Sequence, residues 1–333
     1  MKQKLVTRAI TEDEYSIWDN FVQESPQGTV FHKTQWILAS ASTKKSNYEL
    51  IGVFDDDKLI GGCPIFYLKR FGFLKIITSE ESLSGTTGIM LPKRESTKVR
   101  TNLTREHEIL DSIRKYIEKK QWLYSLIFNN SKLEDVRPFT WNSWQTAVSY
   151  TYMLPLPFDI NNTSRKLRST IRKAKEVEGI IIDKSFDADL IFDLAAETYN
   201  KQGIDYSGNK DYMITLVNII KENEFGEMLI ARLPNDEPIS ATIGIWDKDT
   251  VHRWVAYTKP QFLATGVDSL LLYKLIELAG YDGMKYVNLM AAGFPFLTNF
   301  VSSFNPELVP QYTVHKSKIP YLSLLPLRKR YYK

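Results

Sequence analysis

The sequence predicts an α+β protein: two similar domains in tandem, each a mixed, mainly antiparallel sheet flanked by helices. Three observations carry that expectation. Over residues 227–258, alternating apolar and polar positions mark three consecutive antiparallel strands, turning at Pro234-Asn235-Asp236 and at Asp247-Lys248-Asp249. A helix follows, with Leu271, Leu272, Leu275, Ile276, Leu278 and Ala279 at helical spacing and Gly280 and Gly283 at its end, and then an apolar strand over residues 285–292. Lastly, the pattern occurs twice. Residues 50–69 align without a gap on 229–248, with Leu50/Leu229, Ile51/Ile230, Asp57/Asp236, Ile60/Ile239 and Lys69/Lys248 identical.

The surrounding elements repeat as well. An amphipathic helix precedes each hairpin (11–22 and 187–199), a helix follows it (105–119 and 267–279), and a buried strand comes last (122–129 and 285–292). The chain therefore divides into domains 1–156 and 157–333. In the first, residues 5–9 form a strand, and Thr11 with Glu14 opens a helix as a capping box that buries Tyr15, Ile17, Trp18 and Phe21. A second helix surrounds Trp36, a hairpin turns across Asp55-Asp56-Asp57, and Gly72, Gly85 and Gly88 punctuate further strands. A strand over 150–156 is stopped by Pro155 and Pro157.

Composition narrows the function. With 43% apolar and 13% aromatic residues the chain fills real cores, and a net charge of +4 gives no general polyanion signature. Net charge this mild, and no helix-turn-helix pattern, speak against sequence-specific DNA binding. The single cysteine, Cys63, excludes a disulfide framework, and four scattered histidines show no metal-ligand spacing, so no metal is expected. The N-terminus has no apolar secretory region and no run is long enough to span a bilayer, so a cytoplasmic protein is expected.

The most charged stretch lies at the domain junction, over residues 163–178. Asn162, Thr163 and Ser164 supply a helix cap and Gly179 a stop, while Leu167, Ile171 and Ala174 form one narrow apolar stripe. Arg165, Lys166, Arg168, Arg172, Lys173 and Lys175 cover the rest. A charge run of this kind is commonly a solvated helix face. Two features favour a binding face for phosphate or carboxylate: six bases precede the first acid, and domain junctions are where clefts form.

Four stretches in fixed order give a resemblance: SPQGTVFHKTQW near the start, RKLRSTIRKAKEVEG at the junction, GVDSLLLYKLIELAGYDGMKYVNLM, and FVSSFNPELVPQYTVHK at the close. They make the whole chain resemble the Fem-type transferases and their CelD-like relatives, which are double acyltransferase-fold (GNAT-like) proteins. The resemblance implies two tandem GNAT-like domains with the reaction site in the second copy, at the cleft between domains. No heptad series interrupts the second domain, so the coiled-coil arm of some Fem members is absent. It further implies N-acyl transfer to an amine of a cell-envelope or polysaccharide precursor, with acyl-CoA as the preferred donor. The alternative donor is aminoacyl-tRNA, as in peptidoglycan-bridge synthesis. In the Fem branch the basic helix contributes to precursor binding, which carries over to Arg168 and Arg172; Lys173 joins them by position. Against the family pattern, the pyrophosphate loop reads Gln261 to Gly266 with a single glycine, and Asn288 and Met290 stand where related proteins carry acids. A non-catalytic binding or scaffold protein is therefore the third reading.

Aminolysis of an ester or thioester needs a deprotonated amine, a donor to the developing oxyanion, and an acid for the leaving group. The fold puts the oxyanion donor on the backbone of residues 253–257. His252 is the candidate base, Tyr257 the candidate acid, and Asn288 a substrate-orienting amide; each has a plain structural alternative as a satisfied strand or core residue. Gly266, Ser269 and Arg253 are the candidate donor-phosphate contacts, and Tyr206, on a glycine-flanked loop, a candidate acceptor contact. The acceptor is a small-molecule or lipid-linked amine. The tail, with Arg328-Lys329-Arg330 after a short apolar segment, is either a docked end or a peripheral membrane contact.

Overall fold

The computed structural model describes residues 5–70, 74–81, 83–176, 179–200, 206, 209–290, 292–293 and 295–319, the side chain of Arg70 excepted. The strands are β1 (Val6–Ala9), β2 (Asn47–Asp55), β3 (Lys58–Arg70), β4 (Leu74–Thr78), β5 (Tyr124–Phe128), β6 (Gln145–Pro155), β7 (Ile181–Lys184), β8 (Gly226–Arg232), β9 (Pro238–Asp247), β10 (Thr250–Thr258), β11 (Tyr286–Asn288) and β12 (Glu307–Ser317). The helices are α1 (Tyr15–Glu24), α2 (Thr34–Lys44), α3 (Val99–Glu118), α4 (Arg137–Thr140), α5 (Arg165–Glu176), α6 (Ala188–Asn200), α7 (Lys210–Glu222), α8 (Val267–Tyr281) and α9 (Thr298–Ser302). The chain separates into two compact units, one of Met1–Ser149 with the chain from Pro310 onward, the other of Tyr150–Val309.

The first unit orders its strands β1-β2-β3-β4-β5-β12, antiparallel except for β4 with β5. The second orders them β7-β8-β9-β10-β11-β6, antiparallel except for β10 with β11. Strand for strand the two match, so the duplication read from the sequence is one of topology. Both hairpins carry a register shift just before the turn, at Val53/Phe54 and at Ala231/Arg232. The left-handed turn residue is Asp56 in one and Asp236 in the other, one position apart in the gapless alignment.

The plan of two similar mixed-sheet units holds, and the details differ from the sequence reading where tertiary pairing decides. β6 follows the first copy in sequence but pairs with β11, whereas β12 follows the second and pairs with β5, Thr313↔Phe128 through Ser317↔Tyr124. A cut at 156/157 therefore separates β12 from the unit whose sheet it completes. The strand expected over 285–292 is only β11, because Met290 turns left-handed (φ 54). Gly280 does not end α8; the helix runs to Tyr281, and Gly283 (φ 71) redirects the chain. Helix α3 starts at Val99, ahead of the expected 105. Gly72 and the basic tail lie outside the described residues.

Local chemistry explains the rest. Thr11 and Glu14 form the expected capping box, and Glu14 also takes Arg8 through both carboxylate oxygens. Trp18 and Trp36 are core residues, their indoles donating to the His32 carbonyl and the Ser84 hydroxyl. Cys63 is fully buried, and that burial pushes its thiol far above the ordinary range, so it is no nucleophile. In the second unit α5 and α8 cover one sheet face through Leu167, Ile171, Ala174, Leu271, Leu275 and Val287, while α6 packs on the other.

Candidate active site

β10 is where the second unit departs from a regular sheet. It pairs with β9 along its length, from Thr250↔Asp247 to Thr258↔Ser240. On its other side the parallel pairing with β11 runs only from Thr250↔Tyr286 to His252↔Asn288. Past that point no strand among the described residues takes the outer edge of β10, and a bulge between Arg253 and Val255 twists the strand there. The ladder between β10 and β11 thus ends at the stretch where the fold was expected to hold a reacting carbonyl.

The first unit makes the contrast. There the place beyond the parallel β4/β5 pair is filled by its own chain. Ser79 donates its N–H to the Leu126 carbonyl, Phe128 donates its N–H to the Ser79 hydroxyl, and Ile89 donates its N–H to the Asn129 side chain. Met90 bridges back to Gly62.

Strand alternation turns Val251 toward α8 and His252 toward the opposite face, across from Ile245 and beside Asn288. Four side chains form a buried chain here. Thr151 donates to Asn288 Oδ1 at 2.5 Å, and the Met290 N–H donates to the same oxygen at 3.0 Å, which fixes the amide orientation. Asn288 Nδ2 then donates to His252 Nδ1 at 3.3 Å. The imidazole consequently carries its proton on Nε2, which faces Asp247 Oδ2 at 3.5 Å. Asp247 Oδ1 accepts the Lys248 N–H at 3.0 Å. With one nitrogen accepting from an amide and the other turned to a carboxylate, His252 has no lone pair for an incoming ammonium. Its geometry is that of an orienting residue, as is that of Asn288.

Tyr257 lies on the same face, further along β10. Tyr206 is sandwiched between Phe192, at 5.9 Å, and Tyr199, at 4.5 Å between ring centroids, and Tyr257 meets Tyr199 edge-on at 6.2 Å. Burial, then the neighbouring tyrosines, push the Tyr257 hydroxyl well above its ordinary range, and burial pushes Tyr206 up to about 12. Both phenols stay protonated at neutral pH. Tyr206 contributes to an aromatic stack with Phe192 and Tyr199.

Arg253 points to the α8 face. Its guanidinium lies 5.4 Å from the centroid of Phe300 and its Nε is sealed from solvent without a hydrogen-bond partner among the described residues. Burial depresses its pKa to about 10, opposed by the charge of Asp268. Asp268, in the first turn of α8, is raised by burial and held down by the N–H groups of Ser269 and of Asp268 itself, and by Arg253. The two charges sense each other without a direct ion pair.

The start of α8 does not fit the pyrophosphate of an acyl-CoA. Gly266 (φ 78) caps the helix, but a Cβ built there would lie 2.3 Å from Thr170 Cγ2, so α5 covers the loop. The first-turn donors are also engaged. Val267 N–H bonds the Thr265 hydroxyl at 3.3 Å and Ser269 N–H bonds Asp268 Oδ1 at 2.7 Å. Ser269 is buried in the helix start.

On α5 the apolar stripe of Leu167, Ile171 and Ala174 is buried as expected. Arg168 is tied back to the loop before the helix, donating to the Asn161 carbonyl at 3.0 Å and to the Thr163 carbonyl. Arg172 and Lys173 stand exposed, Arg172 with only a loose 3.8 Å approach to Glu176, and Lys175 lies over the Tyr273 ring. The structure thus brings His252 and Asn288 together and places Arg253 near Asp268, while Arg168 acts locally. Sequence reasoning missed Asp268, Asp247 and Thr151. An acid in a first helical turn and one at a hairpin end are commonplace, and no periodicity shows which strands are neighbours.

A cleft of about 400 Å³ lies in the first unit, floored by Gln27, Leu91 and Leu133. The ion pair of Arg94 with Glu106 on its wall, and both amide groups of Gln27, are spent inside the fold. No group of three or more metal-ligating side chains occurs among the described residues. No described helix is long and apolar enough to cross a membrane.

Residues 161–296 match the family model described as an acetyltransferase (GNAT) domain. None of the curated proteins matches the chain in sequence. Among solved structures the chain is similar to FemX, at 13% identity and a TM-score of 0.66, covering 92% of this chain and 96% of that one. It is also similar to L-PGS from Bacillus licheniformis, at 11% identity and a TM-score of 0.59, covering 95% of both chains. A tandem GNAT protein from the clavulanic acid biosynthesis pathway aligns at 9% identity and a TM-score of 0.56, over 95% of this chain and 99% of that one. Over residues 161–296 the chain carries a GNAT-type domain, and its fold as a whole is that of tandem GNAT-like proteins. Among the described residues no long paired helices form a coiled-coil arm.

Proposed function

We propose that the chain is an N-acyltransferase whose second unit moves an acyl group from an activated donor to the amine of a cell-envelope or polysaccharide precursor, small or lipid-linked. The observation that supports this reading is that β11 leaves β10 after His252, where β10 bulges and the half-buried Arg253 keeps an unbonded Nε. The amine attacks the donor carbonyl directly. The new C–N bond forms as the bond to the leaving oxygen or sulfur breaks, and a backbone N–H on the stretch 253–257 receives the developing negative charge. Tyr257, held protonated, supplies a proton to the leaving group. His252 and Asn288 orient, Arg253 meets an anionic part of the donor, and Arg172 with Lys173 offers a basic surface to an anionic substrate.

The test is turnover. Purified protein is incubated with labelled acetyl-CoA or a pool of labelled aminoacyl-tRNA, together with a panel of amines, and acylated amine is sought by mass spectrometry. Transfer that falls at least about tenfold in Arg253→Gln supports the reading. Full activity in that variant removes Arg253 from the site. A folded protein that binds donor and amine yet never transfers belongs to the scaffold class.

A further inference from the structure

The chain's own carboxylate stands where this fold is expected to take a donor's phosphates. A helix start binds an anion because its first N–H groups lack partners and its dipole is positive there. In α8 both resources are used internally. The N–H groups of Ser269 and Asp268 turn to the Asp268 side chain, that of Val267 to Thr265, and Thr170 of α5 sits against Gly266. A pyrophosphate brought to this point would meet a carboxylate instead of donors, with no left-handed loop open to receive it. Arg253 does not change the balance locally, since no direct ion pair joins it to Asp268 and its guanidinium lies over Phe300.

We infer that Asp268 is an internal substitute for a bound anion and that it closes the α8 start to the pyrophosphate of acyl-CoA. The inference stands on the geometry of the α8 start and does not depend on the acyl-transfer reading above.

The experiment is calorimetric titration of the full chain with CoA, and separately with inorganic pyrophosphate, in the parent protein and in Asp268→Asn and Asp268→Asn/Thr170→Ala, each shown folded by circular dichroism. The parent is expected to give no saturable heat with either probe. The variants, relieved of the charge and then of the covering side chain, are expected to bind at least roughly tenfold more tightly than the parent. Saturable CoA binding by the parent overturns the inference, and so does a folded double variant that gains nothing. None of these titrations involves turnover. Their failure therefore leaves acyl transfer standing, and absence of transfer with every donor sinks that reading without altering the binding result.

Discussion

Replacing Arg253 with methionine separates a residue kept for function from one kept for folding. The guanidinium is half-buried on the α8 face, Nε has no hydrogen-bond partner, and Asp268 lies beyond ion-pair distance. A pKa pushed down to about 10 by burial corresponds to roughly 3 kcal/mol against the charged form in the folded state. The sign is that of a depressed cation. At neutral pH the group is charged folded and unfolded, so the whole cost is present, and it is relieved only as pH rises above about 10. Partial solvation reduces the cost, and the contact with the Phe300 ring returns about 0.5–1 kcal/mol. Methionine keeps the length and fills the apolar contact, so Arg253→Met is expected to stabilise the second unit by about 1–2 kcal/mol. That amounts to a rise of roughly 3–6 °C in its melting temperature, read by scanning calorimetry at pH 7. Transfer to the amine is expected to fall at least about tenfold in the same variant. A loss of stability larger than about 1 kcal/mol refutes the reasoning, because it means the guanidinium is satisfied in a way the geometry does not contain.

Other expectations follow from the same contacts. Asn288→Ala leaves the Thr151 hydroxyl, the Met290 N–H and His252 Nδ1 without their shared partner, so urea unfolding should show a loss of about 2–4 kcal/mol; a loss below about 1 kcal/mol would show that the chain of bonds is not cooperative. Changing Arg165, Arg168 and Arg172 together to Glu should abolish salt-dependent retention of aminoacyl-tRNA on the protein, and unchanged binding at low salt would remove α5 as the platform. In the first unit, the Arg137 guanidinium, and after it His107, hold the Asp135 carboxyl far below the carboxylate range. Its contribution is present above about pH 4 and lost as pH falls below that value. Asp135→Asn should therefore flatten the acid limb of unfolding between about pH 4 and 2, followed by the fluorescence of Trp141 and its neighbours; an unaltered limb would place the acid sensitivity elsewhere.

Much of the fold was legible because its signals are local. The capping box at Thr11, the helix stripe of Leu167, Ile171 and Ala174, and the two hairpins each depend on residues a few positions apart. The short β11 was not legible, since the apolar run through Met290 and beyond reads as strand until the backbone turns at φ 54. Asn288 looked like the loss of a general base. In the fold it ties Thr151 to His252, a role that depends on β6 and β10 flanking β11.

By itself the sequence determined the helix, hairpin, helix and strand that recur in two equivalent sets, and that one helix carries an exposed basic face. Those properties follow from periodicity and charge, which a chain displays before it folds. Tertiary structure alone decided which strand completes which sheet. It also decided that Arg253 is half-buried with an unbonded Nε, that Asn288 takes Nδ1 of His252, and that Asp268 takes donors at the start of α8. Each of these depends on what stands opposite a side chain across a sheet or under a helix, and residues a hundred positions apart become neighbours only when the core closes.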